Sequence, residues 1–140
     1  MRHTTVTLLT TCLLLAAATV SCSKSADENA RDCATALTKR TGGDSADTPT
    51  VSEAEKRTDA LDDTLAGMVR AGHASLAKDA ADAVEKKSKK GQSRPEACEP
   101  LAEDDYKALL MAKAIDGLGW TDKDGKFDKN KMLDGISKYE

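Results

Sequence analysis

The sequence predicts an all-α fold: a small helical bundle with one long helix, two or three shorter helices and one disulfide. Three observations carry this. Leu61, Leu65, Met68, Val69, Gly72, Leu76, Ala80, Ala83 and Val84 recur every three or four residues, which is one stripe of a helix. No proline interrupts the chain between Ser52 and Lys90. Residues 106–120, "YKALLMAKAIDGLGW", are apolar on more than one side, as suits a helix at the centre of a bundle.

The chain opens "MRH" and carries no acidic residue before Asp27. An apolar stretch runs from Val6 to Val20 and is interrupted only by threonine and Cys12. A membrane-spanning helix needs about 20 apolar residues, so this one is short. It also lacks a polar face for a helix at a domain surface. A basic start, a short apolar stretch and small residues before a cut site describe a secretory signal, here residues 1–21.

Thr19-Val20-Ser21-Cys22 resembles the lipobox of bacterial lipoproteins, in which small residues precede a cysteine. The family usually has Leu at the place of Thr19. The resemblance implies that Cys22 takes a diacylglycerol on its sulfur and becomes the first mature residue. Residues 22–29 would then be a lipidated tether, and 30–140 the helical domain. The rival is ordinary cleavage after Ala18 or Ser21, which leaves Cys22 as a thiol. The alanine and threonine content also resembles actinobacterial usage.

Cysteine parity bears on this choice. Cys12 leaves with the signal, and an acylated Cys22 leaves Cys33 and Cys98 as one pair. Exported proteins meet an oxidising compartment, so this pair is expected as a disulfide. The alternative is two separate buried thiols. The mature chain carries twenty basic and twenty-four acidic side chains, a net charge of −4. That mixed, mildly acidic balance gives nucleic acid no basic patch.

The first helix begins near Asp27, carries Cys33, Ala34 and Leu37, and ends at Thr41-Gly42-Gly43. "GGDSADTPT" is a turn-rich linker. Ser52 with Glu55 three residues on reads as a capping box opening the long helix, which continues to about Lys90. Glu53/Arg57, Asp82/Lys86 and Glu85/Lys89 are spaced as surface ion pairs on it. Gly67 and Gly72 mark close packing or a break. A charged loop around Gly91 and Pro95 follows. The buried helix starts after Glu99-Pro100, with Glu103, Asp104 and Asp105 complementing its dipole, and ends at Gly117 or Gly119. A loop leads to a last short helix with Met132, Leu133, Ile136 and Tyr139 on one face.

The residues for catalysis are sparse. His73 is the one histidine left after the signal, with no second His for a metal. There is no Gly-x-Ser-x-Gly elbow, P-loop or Gly-x-Gly-x-x-Gly run. Asp62/Asp63 and Asp104/Asp105 are adjacent on helices, where neighbours point about 100° apart, as on a solvated face. Residues 120–131, "WTDKDGKFDKNK", place Asp122, Asp124 and Gly125 at the third, fifth and sixth positions of an EF-hand-like calcium loop. Trp120 and Lys131 occupy the first and twelfth, where that loop needs oxygen ligands. The stretch therefore reads as a tight Asp124-Gly125 turn with Trp120 and Phe127 packed across a small hairpin. No enzyme activity, metal or cofactor is expected.

The functional expectation is a binding or interaction lipoprotein. It is anchored by its lipid to the extracytoplasmic face of the cell membrane and meets an envelope partner. The alternative is an envelope carrier of a small ligand or cation. A carrier should show a closed apolar pocket, and an interaction module an apolar patch rimmed by charge.

Overall fold

The computed structural model describes residues 24–89 and 93–137. The signal segment, Cys22 and Tyr139 lie outside them. Among the described residues there are five α-helices and one short 3₁₀ turn, with no strand beyond an isolated bridge.

Helix α1 spans Ala26–Thr41. Ser25 Oγ accepts from the Glu28 N–H at 3.2 Å, and the Glu28 carboxylate accepts from the Ser25 N–H at 2.8 Å. This reciprocal cap satisfies two donors that a helix start leaves open. It also shortens the expected tether, because residues 26–29 belong to the first turn of α1. At the other end Gly42 adopts a left-handed φ of 73° and donates to Thr38 O. A side chain is disfavoured in that conformation, so glycine is the residue that stops the helix here. Ala30, Cys33, Ala34 and Leu37 form the buried face.

The expected long helix is two helices. Helix α2 spans Val51–Arg70 and helix α3 spans Ala74–Lys89. Gly72 has a φ of 88°, and His73 N–H reaches back to Met68 O at 2.8 Å. The stripe did not betray the break, since Gly72 falls in phase with it. Packing explains it. One helix over 52–90 would be about 58 Å long, while α4 (Glu103–Gly117) is about 22 Å. Folding back lets α2 and α3 pack against each other and against α4. Val69, expected to face inward, is 54% exposed beside the turn, while Met68 is buried.

The cap of α2 is Thr50 rather than Ser52: Thr50 Oγ1 accepts from Glu53 N–H, and the Glu53 carboxylate accepts from Thr50 N–H. Both residue pairs fit the same pattern, and the earlier one adds Val51 to the helix, where it packs on the core. Of the expected surface pairs on α2 and α3, Glu85 meets Lys89, but Asp82 pairs with Lys78.

The 3₁₀ turn at Glu96–Cys98 precedes α4. Arg94 holds this corner by donating to the carbonyls of Cys98 and Leu101 and lying 4.6 Å over the Tyr106 ring. Helix α4 starts three residues after Pro100, with Ala102 as its cap and Glu103, Asp104 and Asp105 in its first turn. Those acids offset the positive end of the helix dipole. Helices α1, α2 and α3 all pack on α4, which is the central helix expected. Its first half joins a core with Cys33, Leu37, Cys98 and Leu109. Its second half joins another with Leu61, Val84, Ile115, Trp120 and Met132. A Cβ on Gly117 would lie 2.2 Å from Thr41 O, so α1 and α4 approach through a glycine.

After α4 the chain makes a small hairpin. Thr121 and Phe127 form an antiparallel bridge, Asp122 N–H donates to Lys126 O, and Asp128 N–H donates to Trp120 O. Trp120 is buried and Phe127 half-buried in the second core. Helix α5 spans Lys129–Ile136 and is capped by the Asp128 carboxylate. It buries Met132 and Ile136. Among the described residues no helix is long and apolar enough to cross a membrane.

Candidate functional site

The least expected feature of the interior is ionic. Lys113 on α4 is 0% exposed, and Arg57 on α2 is 5% exposed. Charges at such depth are costly unless their hydrogen bonds are met. The linker between α1 and α2, with Asp116 and Ala112 of α4, supplies the partners. Lys113 Nζ donates to Asp116 Oδ2 at 2.7 Å, to the main-chain oxygens of Asp47 at 2.8 Å and Asp44 at 3.0 Å, and lies 3.4 Å from Asp47 Oδ2. The Arg57 guanidinium grips both Asp47 oxygens, at 2.8 and 2.9 Å, and donates to Ala112 O. Its Nε is buried with no partner among the described residues. Asp116 in turn accepts from Asp44 N–H and from the Thr121 hydroxyl.

Two cations and two carboxylates thus balance. Burial pushes the Asp47 carboxyl up, but the bonds and charge of Arg57 and then Lys113 outweigh it and hold it below the usual carboxylate range. Two glycines make room. A Cβ on Gly43 would lie 1.9 Å from Asp116 Oδ2, and one on Gly125 2.8 Å from Asp47 Oδ1. The hairpin turn therefore sits directly on the Asp47–Arg57 pair.

Above this network opens a cleft of about 1120 Å³. Its walls are α1, the 44–49 linker, the first turns of α2, and the hairpin. Its lining carries six cationic and six carboxylate side chains, with no aromatic ring and no histidine. It is open and lined mainly by charged residues, unlike the closed apolar pocket of a carrier for apolar ligands.

Cys33 and Cys98 are joined, with Cα atoms 4.5 Å apart. Cys22 lies outside the described residues. His73 is exposed in the turn between α2 and α3. Asp62, Asp63 and Asp104 are exposed, away from the cleft, and Asp105 is half-buried on α4. In the calcium-loop-like stretch Asp122 and Asp128 each turn an oxygen to the chain itself. Asp122 Oδ1 accepts from the N–H groups of Asp124 and Lys126, each at 2.9 Å. Those bonds, Lys126 first, hold the Asp122 carboxyl below its ordinary range against desolvation. Asp128 caps α5, and Lys131 Nζ donates to Thr121 O at 2.6 Å.

Local spacing assigns no role to Asp47, Lys113 or Asp116, and it places Arg57 on the surface with Glu53. A signal was there. Arg57 precedes Leu61 by four residues, inside the buried stripe, and Lys113 and Asp116 stand in an otherwise apolar run. No protein-family model, curated protein or solved structure matches this chain.

Proposed function

We propose that this chain is a non-catalytic binding protein on the extracytoplasmic face of a bacterial membrane, anchored through a lipid on Cys22. In this reading the charged cleft is its binding face. The Cys33–Cys98 disulfide carries it, because such bonds persist in oxidising compartments and are rare in the cytosol. The export-type start of the chain supports the same compartment. The cap of α1 at Ser25 leaves only Ser23 and Lys24 between Cys22 and the cap, so a lipid there would hold the domain close to the bilayer. The open, charged cleft favours binding of a polar partner over carriage of an apolar small molecule.

The test is metabolic labelling with a fatty-acid analogue, followed by detergent partition. The expected result is a labelled protein in the detergent phase. Cys22→Ala should lose the label and release the protein to the medium. A mutant that still labels would refute the anchor.

A further inference from the structure

The cleft has equal numbers of cationic and carboxylate side chains, yet the two sets are used very differently. Asp47 and Asp116 are consumed by Arg57 and Lys113. Glu53 accepts from the Thr50 N–H and hydroxyl. Asp44 accepts from Ala46 N–H, and Asp122 from two main-chain N–H groups. Only Asp124, 3.5 Å from Lys123, is loosely engaged. Among the cations, the side chains of Arg31, Lys56 and Lys126 have no hydrogen-bond acceptor or ion-pair partner among the described residues. Arg31 sits within electrostatic reach of Glu53, whose Oε2 the α2 cap already engages, and Lys126 within reach of Asp122, whose Oδ1 already accepts two main-chain N–H groups. Every cleft carboxylate thus makes at least one hydrogen bond or ion pair, and the charged side chains that make none among the described residues are cations from three different elements: α1, α2 and the hairpin.

We infer that the cleft binds an anionic ligand carrying several oxyanion groups, phosphate or carboxylate, held by Arg31, Lys56 and Lys126. This deepens the binding-face reading above and rests on it, but not on the lipid anchor. A guanidinium presents a planar fork to an oxyanion, and lysines act as point charges around it. The volume exceeds what one orthophosphate would fill, and cations on three walls suit a ligand with separated charges. No ring lines the cleft to stack on a base or a sugar, so recognition there is by charge and hydrogen bonds. The buried network below keeps the floor neutral and rigid.

Sodium tripolyphosphate and citrate are the probes, titrated calorimetrically into the full chain in a nonionic detergent at low ionic strength. Saturable binding of at least one is expected, weakened by added salt. The tighter probe tells phosphate from carboxylate. The triple variant Arg31→Gln/Lys56→Gln/Lys126→Gln should weaken binding at least tenfold. Removing three cations elsewhere, Lys39→Gln/Lys86→Gln/Lys107→Gln, should weaken it less than threefold. Circular dichroism spectra of both variants should match the parent, as all six side chains lie outside the buried set. No saturable binding of either probe at millimolar concentration would overturn the inference, as would equal losses in the two variants. Saturable binding of spermidine in place of the anions would overturn it too, while leaving the cleft a binding face.

Discussion

Replacing Lys113 by Met tests whether the buried network organises the fold. Met keeps the length and most of the volume of the side chain but removes its charge and three donors. Four oxygens lose a partner: Asp44 O, Asp47 O, Asp47 Oδ2 and Asp116 Oδ2. Asp116 keeps only Asp44 N–H and the Thr121 hydroxyl, and its charge stays buried. Breaking a buried ion pair from one side costs about 3–5 kcal/mol. Domains of this size are stable by roughly 5–15 kcal/mol, so the variant should stand near the edge of folding. With a urea m-value of about 1.5 kcal/mol/M, a loss of about 4 kcal/mol lowers the midpoint by about 2.7 M. Circular dichroism in urea measures this. Adding Asp116→Asn removes the orphaned charge and should recover about 1–3 kcal/mol. Lys107→Met, which loses only exposed pairs with Glu103 and Asp104, should stay within about 0.5 kcal/mol of the parent. A Lys113→Met protein within about 1 kcal/mol of the parent, at unchanged m, would refute the reasoning.

Reduction of the Cys33–Cys98 bond opens a loop with a sequence separation of 65 and should cost up to roughly 4 kcal/mol. Urea midpoints with and without reductant measure the loss, and coincident curves would count against it. Gly117→Ala should destabilise by about 2 kcal/mol or more, because its Cβ would meet the Thr41 carbonyl of α1. Gly67→Ala, with open space around it inside α2, should instead stabilise by roughly 0.5–1 kcal/mol. The two thermal midpoints should move in opposite directions. Acid should weaken the fold through Asp47. Its folded carboxyl lies below the usual range, so the unfolded chain binds more protons. The stabilisation is then present above about pH 4 and lost as pH falls further. Urea midpoints measured from about pH 5 down to about pH 2.5 should fall less steeply for Asp47→Asn than for the parent.

The network bears on function through the linker it holds. Residues 42–50 contain no regular structure, yet Lys113 fastens them by two carbonyls and a carboxylate, and Asp116 receives the Asp44 N–H. Buried ion pairs add little net stability over an apolar core, but they specify one arrangement of the groups they join. Here they set the linker and the hairpin at a defined spacing, and that spacing is the cleft.

Helix content, the ends of α1, the placement of α4 and the Cys33–Cys98 pairing were legible in the sequence. Each rests on a local rule: apolar spacing at the helical period, glycine where φ must be positive, acids at a helix start, and parity among the cysteines. The break at Gly72 was not legible in the same way. A glycine in phase with an apolar stripe is compatible with a continuous helix, and only the need to bury both halves against one short central helix decides for a turn. Arg57 and Lys113 could be noticed as charges at apolar positions, but not paired. Asp47 lies ten residues from one and 66 from the other. Which carboxylate meets a buried cation depends on where the tertiary structure brings a loop, and local periodicity carries no information about that.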